Sequence, residues 1–234
     1  MSVQEQFAET RDALPVLTES FGLARRVSAV RGTRRSRRSQ AAAKRALDLL
    51  IAVPALLLLS PLLVAIALLI RWDSAGPAMF RQTRLGLEGR PFAILKFRTM
   101  NVVEDDLAIV QATPGDARVT RLGAFLRKTS IDELPQLLNV VAGHMSLVGP
   151  RPHAVAHDIY YAGLIPEYAL RQAVKPGITG WAQVNGYRGG TPTLDLMQSR
   201  VTLDIWYAAH ASVALDLRIL ARTPIELLRN RDVY

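Results

Sequence analysis

Cysteine is absent from the 234-residue sequence, which excludes disulfide bonds, thiolate zinc sites, iron–sulfur clusters and a cysteine nucleophile. The phosphate-binding patterns G-x-x-x-x-G-K-[ST] and G-x-G-x-x-G and the hydrolase pattern G-x-S-x-G are also missing. No metal-ligand spacing links the four histidines, for which we expect structural or surface roles: His144, His153, His157 and His210. Oxygen and imidazole remain as the only side-chain ligands.

A cleavable signal peptide is not expected, because the first 40 residues are polar and lack an apolar core followed by a cleavage site. Half of all residues are hydrophobic, which is enough for a sizeable core in one ordinary domain with appendages. The composition therefore excludes disorder throughout the chain.

Positive charge is concentrated in residues 25–45, which contain nine Lys or Arg residues and no acid. The other 20 basic residues balance the 20 acidic ones, so the net charge of +9 belongs to this arm. The arm leads into an apolar run and has no aromatic residue for base stacking, which indicates attraction to anionic membrane lipid. A nucleic-acid tail is the rival interpretation, and we expect no nucleic-acid partner.

The apolar run, residues 49–70, is 22 residues long and carries no charge. As a helix it would be roughly 33 Å long, enough to cross a hydrocarbon core of about 30 Å. Pro61 interrupts its centre, and the Ser60 hydroxyl could bond a carbonyl one turn back, so this pair suits a bend. Basic residues flank both ends, as Lys44 and Arg71 show. Three arrangements remain open: a re-entrant helix with both ends cytoplasmic, a kinked spanning anchor, and the buried core helix of a soluble protein.

Downstream, Gly86 and Gly89 punctuate two extended pieces, which predicts a β-hairpin. Apolar residues at three- and four-residue spacing then predict two short helices that meet near Thr129 to Asp132. After loops rich in Gly and Pro, residues 194–228 return to a helical pattern, with Trp206 and Tyr207 as candidate anchors at a membrane interface.

Asp132 and Glu133 are adjacent carboxylates at a predicted helix start, where the helix dipole favours anions. Neighbouring helical positions point about 100° apart, so distinct roles such as nucleophile and metal ligand fit better than one shared proton. The alternative is structural. Ser130 and Glu133 match the capping box S-x-x-E, and Asp132 could itself be an N-cap.

Several basic residues are candidates for binding phosphate. Arg151 lies between two prolines that fix its backbone, which suits a diphosphate, although an ordinary surface turn fits equally well. Lys96 and Arg98 alternate with apolar residues and should face one side of a strand. Arg84 and Lys175 are further candidates of the same kind.

Four motifs in order resemble the bacterial sugar transferases called monotopic phosphoglycosyl transferases: KRALDLLIAVPALLLLSPLL, FRQTRLGLEGRPFAILKFRTM, TRLGAFLRKTSIDELPQLLNVVAGHMSLVGPRP and VKPGITGWAQVNGYRG. The resemblance covers about residues 44–234. It implies an α+β, mainly helical fold with a membrane-embedded re-entrant helix, interfacial amphipathic helices, a small β-hairpin and a single catalytic domain. The expected divisions are a mobile basic arm (1–43), the re-entrant helix (44–72) and the catalytic domain (73–234).

The family's activity implies transfer of a sugar 1-phosphate from a UDP-sugar to polyprenyl (undecaprenyl) phosphate, with release of UMP and the start of exopolysaccharide, capsule or O-antigen synthesis. By the same resemblance, Asp132 is the nucleophile that forms a covalent phosphosugar intermediate, and Glu133 is a Mg²⁺ ligand. Arg151, Lys96 and Arg98 would neutralise the diphosphate.

The resemblance also implies that Ser60 and Pro61 bend the re-entrant helix, and that the catalytic domain lies on the cytoplasmic face of the bacterial inner membrane. A hexose donor is expected, with a UDP-N-acetylhexosamine donor as the alternative. A non-catalytic, membrane-anchored binding protein is the competing class of function. A second copy of the chain, in a homodimer, is a further candidate partner.

Overall fold

The structure, a computed structural model, describes residues 34–101, 116–191 and 193–229. The predicted lipid-binding arm therefore lies partly outside the described residues. Helices account for most of the described chain, with six α-helices in the order α1 Arg34–Asp73, α2 Arg121–Thr129, α3 Gln136–Val141, α4 Val155–Leu164, α5 Leu194–His210 and α6 Val213–Arg229. The predicted, mainly helical class is confirmed, as are the two short helices around the SIDE sequence and the helical C-terminal region.

Two small sheets accompany the helices. The predicted hairpin is present, with β1 Met79–Leu85 antiparallel to β2 Pro91–Phe97. A second sheet, which the sequence did not predict, pairs β3 Ser146–Val148 in parallel with β4 Gly177–Thr179. This second sheet brings the loop after β3 beside the loop that begins at β4.

Close backbone contacts beside the second sheet leave no room for a side chain at Gly149 or Gly180. A Cβ atom added to Gly149 would lie 2.2 Å from the carbonyl oxygen of Lys175, and one added to Gly180 would lie 2.3 Å from the carbonyl oxygen of Gly149. Because both clashes are with backbone, glycine is required at both positions. The close approach fixes the path of the chain into Arg151, the next residue but one after Gly149.

The apolar run forms part of α1, which remains helical through Pro54 and Pro61. The Ser60 hydroxyl donates to the Leu57 carbonyl at 2.8 Å, which confirms the predicted hydrogen bond one turn back. Within the part of the chain that the structure describes, α1 is the one helix long and apolar enough to cross a membrane. It begins at Arg34, so it includes residues 34–43 of the predicted arm.

One face of α1 packs against the rest of the protein, through buried residues such as Ala52, Ile66 and Ile70. The opposite face leaves large apolar side chains exposed, a surface that water would solvate poorly. Its exposed members are Leu50, Ile51, Val53, Leu57, Leu58, Leu62, Val64, Leu68, Leu69 and Trp72. We call this set the apolar face of α1.

Hydrogen bonds join the beginning of α1 to the folded body. The Lys44 ammonium donates to Asp216 at 2.7 Å and to the Val148 carbonyl at 2.9 Å. Four residues later, Asp48 accepts from the Ser146 hydroxyl at 2.9 Å and is buried. These bonds connect α1 to both β3 and α6.

The end of α1 is joined to the same body by Arg98. Its guanidinium donates to the Ser74 carbonyl at 2.7 Å and also contacts the Ala75 carbonyl. Carbonyls after the last helical turn have no partner inside the helix, so Arg98 supplies the missing donors. Both ends of the apolar segment are therefore held by one folded unit.

The C-terminal helices differ from expectation at one residue. Trp206 is 40% exposed, as an interface anchor would be, but Tyr207 is buried and its hydroxyl donates to Asp216 at 2.6 Å. Adjacent helical positions point in different directions, so one faces out and the other faces the core. The prediction that Tyr207 is an interface anchor is wrong.

Candidate active site

Asp132 and Glu133 lie in a single 3₁₀ turn, Ile131–Glu133, between α2 and α3. The turn follows Ser130, which has φ of 57° and so adopts the left-handed conformation that non-glycine residues rarely take. Ser130 ends α2, and its backbone N–H donates to the Arg127 carbonyl. The reversal at Ser130 aims the two carboxylates at the hairpin and the second sheet.

The capping interpretation of this turn is wrong. Ser130 makes no side-chain cap, and its hydroxyl instead accepts a hydrogen bond from Arg188. Glu133 uses both carboxylate oxygens on basic side chains rather than reaching back to Ser130. The N-cap of α3 is Pro135, so Asp132 is not a cap either. Neither carboxylate is needed to begin a helix.

Glu133 is held by two of the cations that the sequence suggested. Arg151 donates two hydrogen bonds to the Glu133 carboxylate from its guanidinium, at 3.0 Å to Oε2 and 2.5 Å to Oε1. Lys96 on β2 donates to the same Oε1 at 2.9 Å. Such charge-assisted, two-pronged contacts fix geometry as well as charge. The hairpin and the loop after β3 thus meet at this carboxylate.

Asp132 has a different environment. Only 9% of the residue's surface is exposed, and its carboxylate accepts no hydrogen bond from any other described residue. Nearby positive charges act on it only through space, chiefly Lys96 and Arg151. A buried carboxylate without hydrogen bonds is poorly solvated, which makes its oxygens more reactive toward an electrophile.

The two carboxyl groups therefore ionise differently. Burial, assisted by the charge of Glu133, raises the pKa of Asp132 to about 6 even though Lys96 and Arg151 oppose the shift. Burial also disfavours ionised Glu133, but Arg151 and then Lys96 outweigh it and hold the pKa of Glu133 well below its usual range. Pairs of carboxyl groups with separated pKa values are typical of sites where the two have distinct roles.

The donor set suits Mg²⁺. Magnesium is commonly bound through one or two carboxylates together with substrate phosphates, rather than by an all-protein cage. Adjacent Asp132 and Glu133 offer such a partial set, and no larger cluster of His, Asp and Glu occurs among the described residues. Both Glu133 oxygens already contact Arg151 or Lys96, so a cation bound there would share or replace those contacts.

The remaining basic candidates lie elsewhere. Arg98 is buried and bonded to carbonyls at the end of α1, because strand β2 stops at Phe97 and the side chain turns away from Lys96. Lys175 lies at the beginning of the apolar segment, near Arg45, and burial followed by Arg45 lowers the pKa of Lys175. Arg84 lies on β1, where its guanidinium contacts Gln82.

Arg188, which was not among the candidates suggested by the sequence, also lies at the site. Its guanidinium reaches Ser130 from the loop after the 3₁₀ turn Gln183–Asn185, and the charges of Glu133 and Asp132 act on it. Half-burial lowers the pKa of Arg188 despite those carboxylates. Its only sequence signal was its position within a glycine-rich loop, GYRGG.

A buried hydrogen-bond network lies behind Arg151. Arg171 donates to the Arg151 carbonyl at 2.5 Å and to Asp204 on α5 at 2.8 Å. The same guanidinium lies 3.1 Å from the Nδ1 atom of His153. Tyr168, bonded to both His153 and Asp158, completes the cluster. Contacts on both sides of Pro152 restrict the backbone that presents Arg151.

Comparison with known proteins gives a consistent result. The family model for bacterial sugar transferases matches residues 39–230. A UDP-glucose:undecaprenyl-phosphate glucose-1-phosphate transferase of Caulobacter vibrioides is 56% identical over 191 residues, which is 82% of this chain and 72% of the relative. A protein of the same name from Escherichia coli K12 is 52% identical over 191 residues, but only 41% of its length is covered.

A relative whose name gives a different sugar nucleotide also matches. The UDP-N-acetylgalactosamine-undecaprenyl-phosphate N-acetylgalactosaminephosphotransferase of Aeromonas hydrophila is 44% identical over 181 residues, or 77% of this chain and 42% of the relative. The chain thus spans about two fifths of the length of the Escherichia coli and Aeromonas proteins.

Proposed function

The chain belongs to the bacterial sugar transferase family, and we propose that it transfers a sugar 1-phosphate from a UDP-sugar to undecaprenyl phosphate. UMP is the second product, and the lipid-linked sugar starts assembly of an exopolysaccharide, capsule or O-antigen. Glucose 1-phosphate is the proposed group, because relatives at 52% and 56% identity are named for it. The N-acetylgalactosamine named for the Aeromonas relative is the second candidate.

One observation carries the assignment of the reactive group. Asp132 is buried and has no hydrogen-bond partner among the described residues, while its neighbour Glu133 is fixed by Arg151 and Lys96. A carboxylate with pKa about 6 is roughly nine-tenths ionised at pH 7, so it needs no general base to act as a nucleophile. Desolvation then strengthens its attack.

The proposed route has two displacements at one phosphorus. In the first, an Asp132 oxygen attacks the phosphorus that carries the sugar, a P–O bond forms to the carboxylate, and UMP leaves with the bridging oxygen. In the second, an oxygen of undecaprenyl phosphate attacks the same phosphorus, and the bond to Asp132 breaks to regenerate the carboxylate. Both nucleophiles are anionic, so neither step requires deprotonation of an alcohol.

Charge repulsion between nucleophile and diphosphate is then the main obstacle. Arg151, Lys96 and Arg188 surround the carboxylate pair and would neutralise the substrate phosphates. Glu133 would hold Mg²⁺, which when bound supplies further positive charge to the diphosphate. Glu133 also holds Arg151 and Lys96 in place before substrate arrives.

The location of the site follows from α1. Its apolar face would lie in lipid, while both of its ends are bonded to the folded body through Lys44 and Arg98. These contacts favour a re-entrant helix that leaves by the face it entered, with the bend at Ser60 and Pro61. A site on the cytoplasmic face of the inner membrane would then receive a soluble nucleotide sugar and a membrane-held phosphate together. Basic residues 25–45 would add attraction to anionic lipid.

The decisive experiment is intact-protein mass spectrometry in detergent with Mg²⁺, after incubation with one UDP-sugar and no lipid acceptor. UDP-glucose, UDP-galactose and UDP-N-acetylgalactosamine are tested separately. We expect a mass gain of one sugar phosphate, matching the sugar of the true donor, absent in Asp132→Asn and removed by adding undecaprenyl phosphate.

The controls separate the reaction from its route. Asp195→Asn, an exposed carboxylate on α5, should form the adduct like the wild type. If no adduct forms and Asp132→Asn still releases UMP once undecaprenyl phosphate is present, transfer is direct and Asp132 is not the nucleophile. UMP release by the wild type alone would instead indicate a short-lived intermediate. If no donor gives UMP release with the acceptor, the chain acts as a membrane-anchored binding protein instead.

A further inference from the structure

We propose that a cavity lined by Leu196 and by every residue of the loop at 185–191 except Arg188 binds the uracil ring of the nucleotide. This assignment rests on the proposed function, because it presumes a uridine nucleotide as donor. The cavity has a volume of about 430 Å³, within the roughly 300–1,000 Å³ of typical ligand pockets. This volume is large enough to hold a pyrimidine ring.

Arg188 connects the loop that lines the cavity to the turn that carries the carboxylate pair. Arg188 projects from the same loop and contacts the Ser130 hydroxyl, two residues before Asp132. Two neighbours of Arg188, Tyr187 and Gly189, line the cavity. A nucleotide whose phosphates meet Arg188 and Arg151 would therefore have this cavity within reach of its base.

The loop is held in place before any ligand binds. Gly186 ends the 3₁₀ turn Gln183–Asn185 with φ of 94°, a conformation that favours glycine, and its position is open on the side-chain face. Behind the loop, the buried Arg200 donates to the Gly189 carbonyl. The Tyr187 backbone N–H donates to the Ala182 carbonyl at 3.0 Å. A preformed loop loses little entropy on binding.

The lining suits a neutral planar base. Tyr187 offers an aromatic ring on which a base can stack, and Leu196 adds an apolar side chain to the same lining. The backbone N–H groups of Gly189 and Gly190 donate to no other described residue, so they can bond the carbonyl oxygens of uracil. None of the seven lining residues is charged, so the lining suits a neutral ring better than a phosphate group.

The test measures binding of UMP by equilibrium dialysis to the purified full chain, without any sugar or lipid. Tyr187→Ala should weaken UMP binding about 10-fold, since stacking of a base on an aromatic ring contributes roughly 1–3 kcal/mol. Tyr187→Phe keeps the ring and should bind UMP like the wild type. Leu196→Trp, at a side chain that is 41% exposed, should fill the cavity and also weaken binding.

Two controls make the result specific. Tyr160→Ala removes a tyrosine on α4 that is 62% exposed and should leave UMP binding unchanged. Glucose 1-phosphate, which lacks the base, should not compete with UMP in wild type beyond the effect of inorganic phosphate. Equal UMP binding by wild type, Tyr187→Ala and Leu196→Trp would overturn the assignment, as would wild type that fails to bind UMP.

Failure of this assignment is distinct from failure of the transferase. UMP release from a UDP-sugar in the presence of undecaprenyl phosphate tests the reaction and does not depend on where uracil lies. If the Tyr187→Ala variant turns over UDP-sugar as the wild type does, the proposed function stands and only the uracil site is contradicted.

Discussion

Arg171 donates a hydrogen bond to the backbone carbonyl of Arg151, 2.5 Å away, from a position buried beneath the site. The bond links the core of the protein to the side chain that binds Glu133. Asp204 on α5 holds the same guanidinium at 2.8 Å. The orientation of Arg151 therefore depends on residues from three separate parts of the chain.

The Arg171→Lys variant tests this dependence. Lysine keeps the charge but lacks the planar fork needed to reach Asp204 and the Arg151 carbonyl together. We expect the KM for the UDP-sugar to rise about 10-fold, because Arg151 is no longer held toward the diphosphate. Asp204→Asn is the matched control, since it loosens the network but retains the bond to Arg151. Equal changes in Tm and in KM for the two variants would mean that Arg171 acts only through stability.

Asp132→Asn should abolish turnover while leaving the fold intact. The side chain caps no helix and accepts no hydrogen bond from the described residues, so its removal costs no contact. Loss of a buried charge beside Glu133 should leave Tm unchanged or slightly higher. Thermal unfolding in detergent and sedimentation with membranes measure these properties. A loss of about 1 kcal/mol or more with activity retained would restore a structural role.

Arg98→Ala should reduce stability rather than substrate binding. Arg98 contacts carbonyls at the end of α1. The substitution leaves these carbonyls without a buried donor, which should lower the free energy of unfolding by about 1–3 kcal/mol. The surviving folded enzyme should have an unchanged KM for the UDP-sugar. Lys96→Ala, which removes a contact to Glu133, serves as the comparison and should raise KM. A raised KM in Arg98→Ala without loss of Tm would mean that Arg98 binds the substrate phosphates.

The contrast between Lys96 and Arg98 shows where sequence reasoning succeeds. Alternation along a strand predicted that both side chains face one side. Lys96 reaches Glu133 as expected, but Arg98 does not follow because β2 ends at Phe97. The hairpin itself was predictable from Gly86 and Gly89, because turn residues act locally. The same locality made the helices on either side of Asp132 predictable.

Features that depend on distant contacts were not predictable. The second sheet has strands of three residues separated by a long stretch of chain, too short to show alternation. The ion pairs of Glu133 join residues 37 and 18 positions away, so its competing role in a capping box could not be dismissed from local pattern alone. Burial of Tyr207 likewise follows from Asp216 on the next helix.

His153 should contribute stability that is lost in acid. Burial, followed by the charges of Arg171 and Arg200, lowers the pKa of His153 well below its usual value. The folded state therefore keeps the ring neutral, whereas the unfolded chain takes up a proton below pH about 6.5. This contribution to stability is present at pH 7 and is lost as pH falls, by up to about 1.4 kcal/mol per pH unit.

The measurement for His153 is the Tm of wild type and His153→Gln between pH 7.5 and pH 5. Any advantage in Tm of the wild type over His153→Gln should narrow or reverse as pH falls, since glutamine cannot take up the proton. His210→Gln, at an exposed residue near the end of α5, is the control and should show the pH dependence of the wild type. A constant difference between wild type and His153→Gln across this range would contradict the prediction.

Topology gives the last prediction, and the absence of native cysteine makes it direct to test. Ala42→Cys and Asp73→Cys place single thiols at exposed positions near the two ends of the apolar segment. Both ends are bonded to one folded body, so a membrane-impermeant maleimide should label both from the same side of sealed vesicles, the side on which UDP-sugar is accepted. Asp195→Cys, on α5, marks the side of the folded body. Labelling of Ala42→Cys and Asp73→Cys from opposite sides would establish a spanning helix and exclude the re-entrant arrangement.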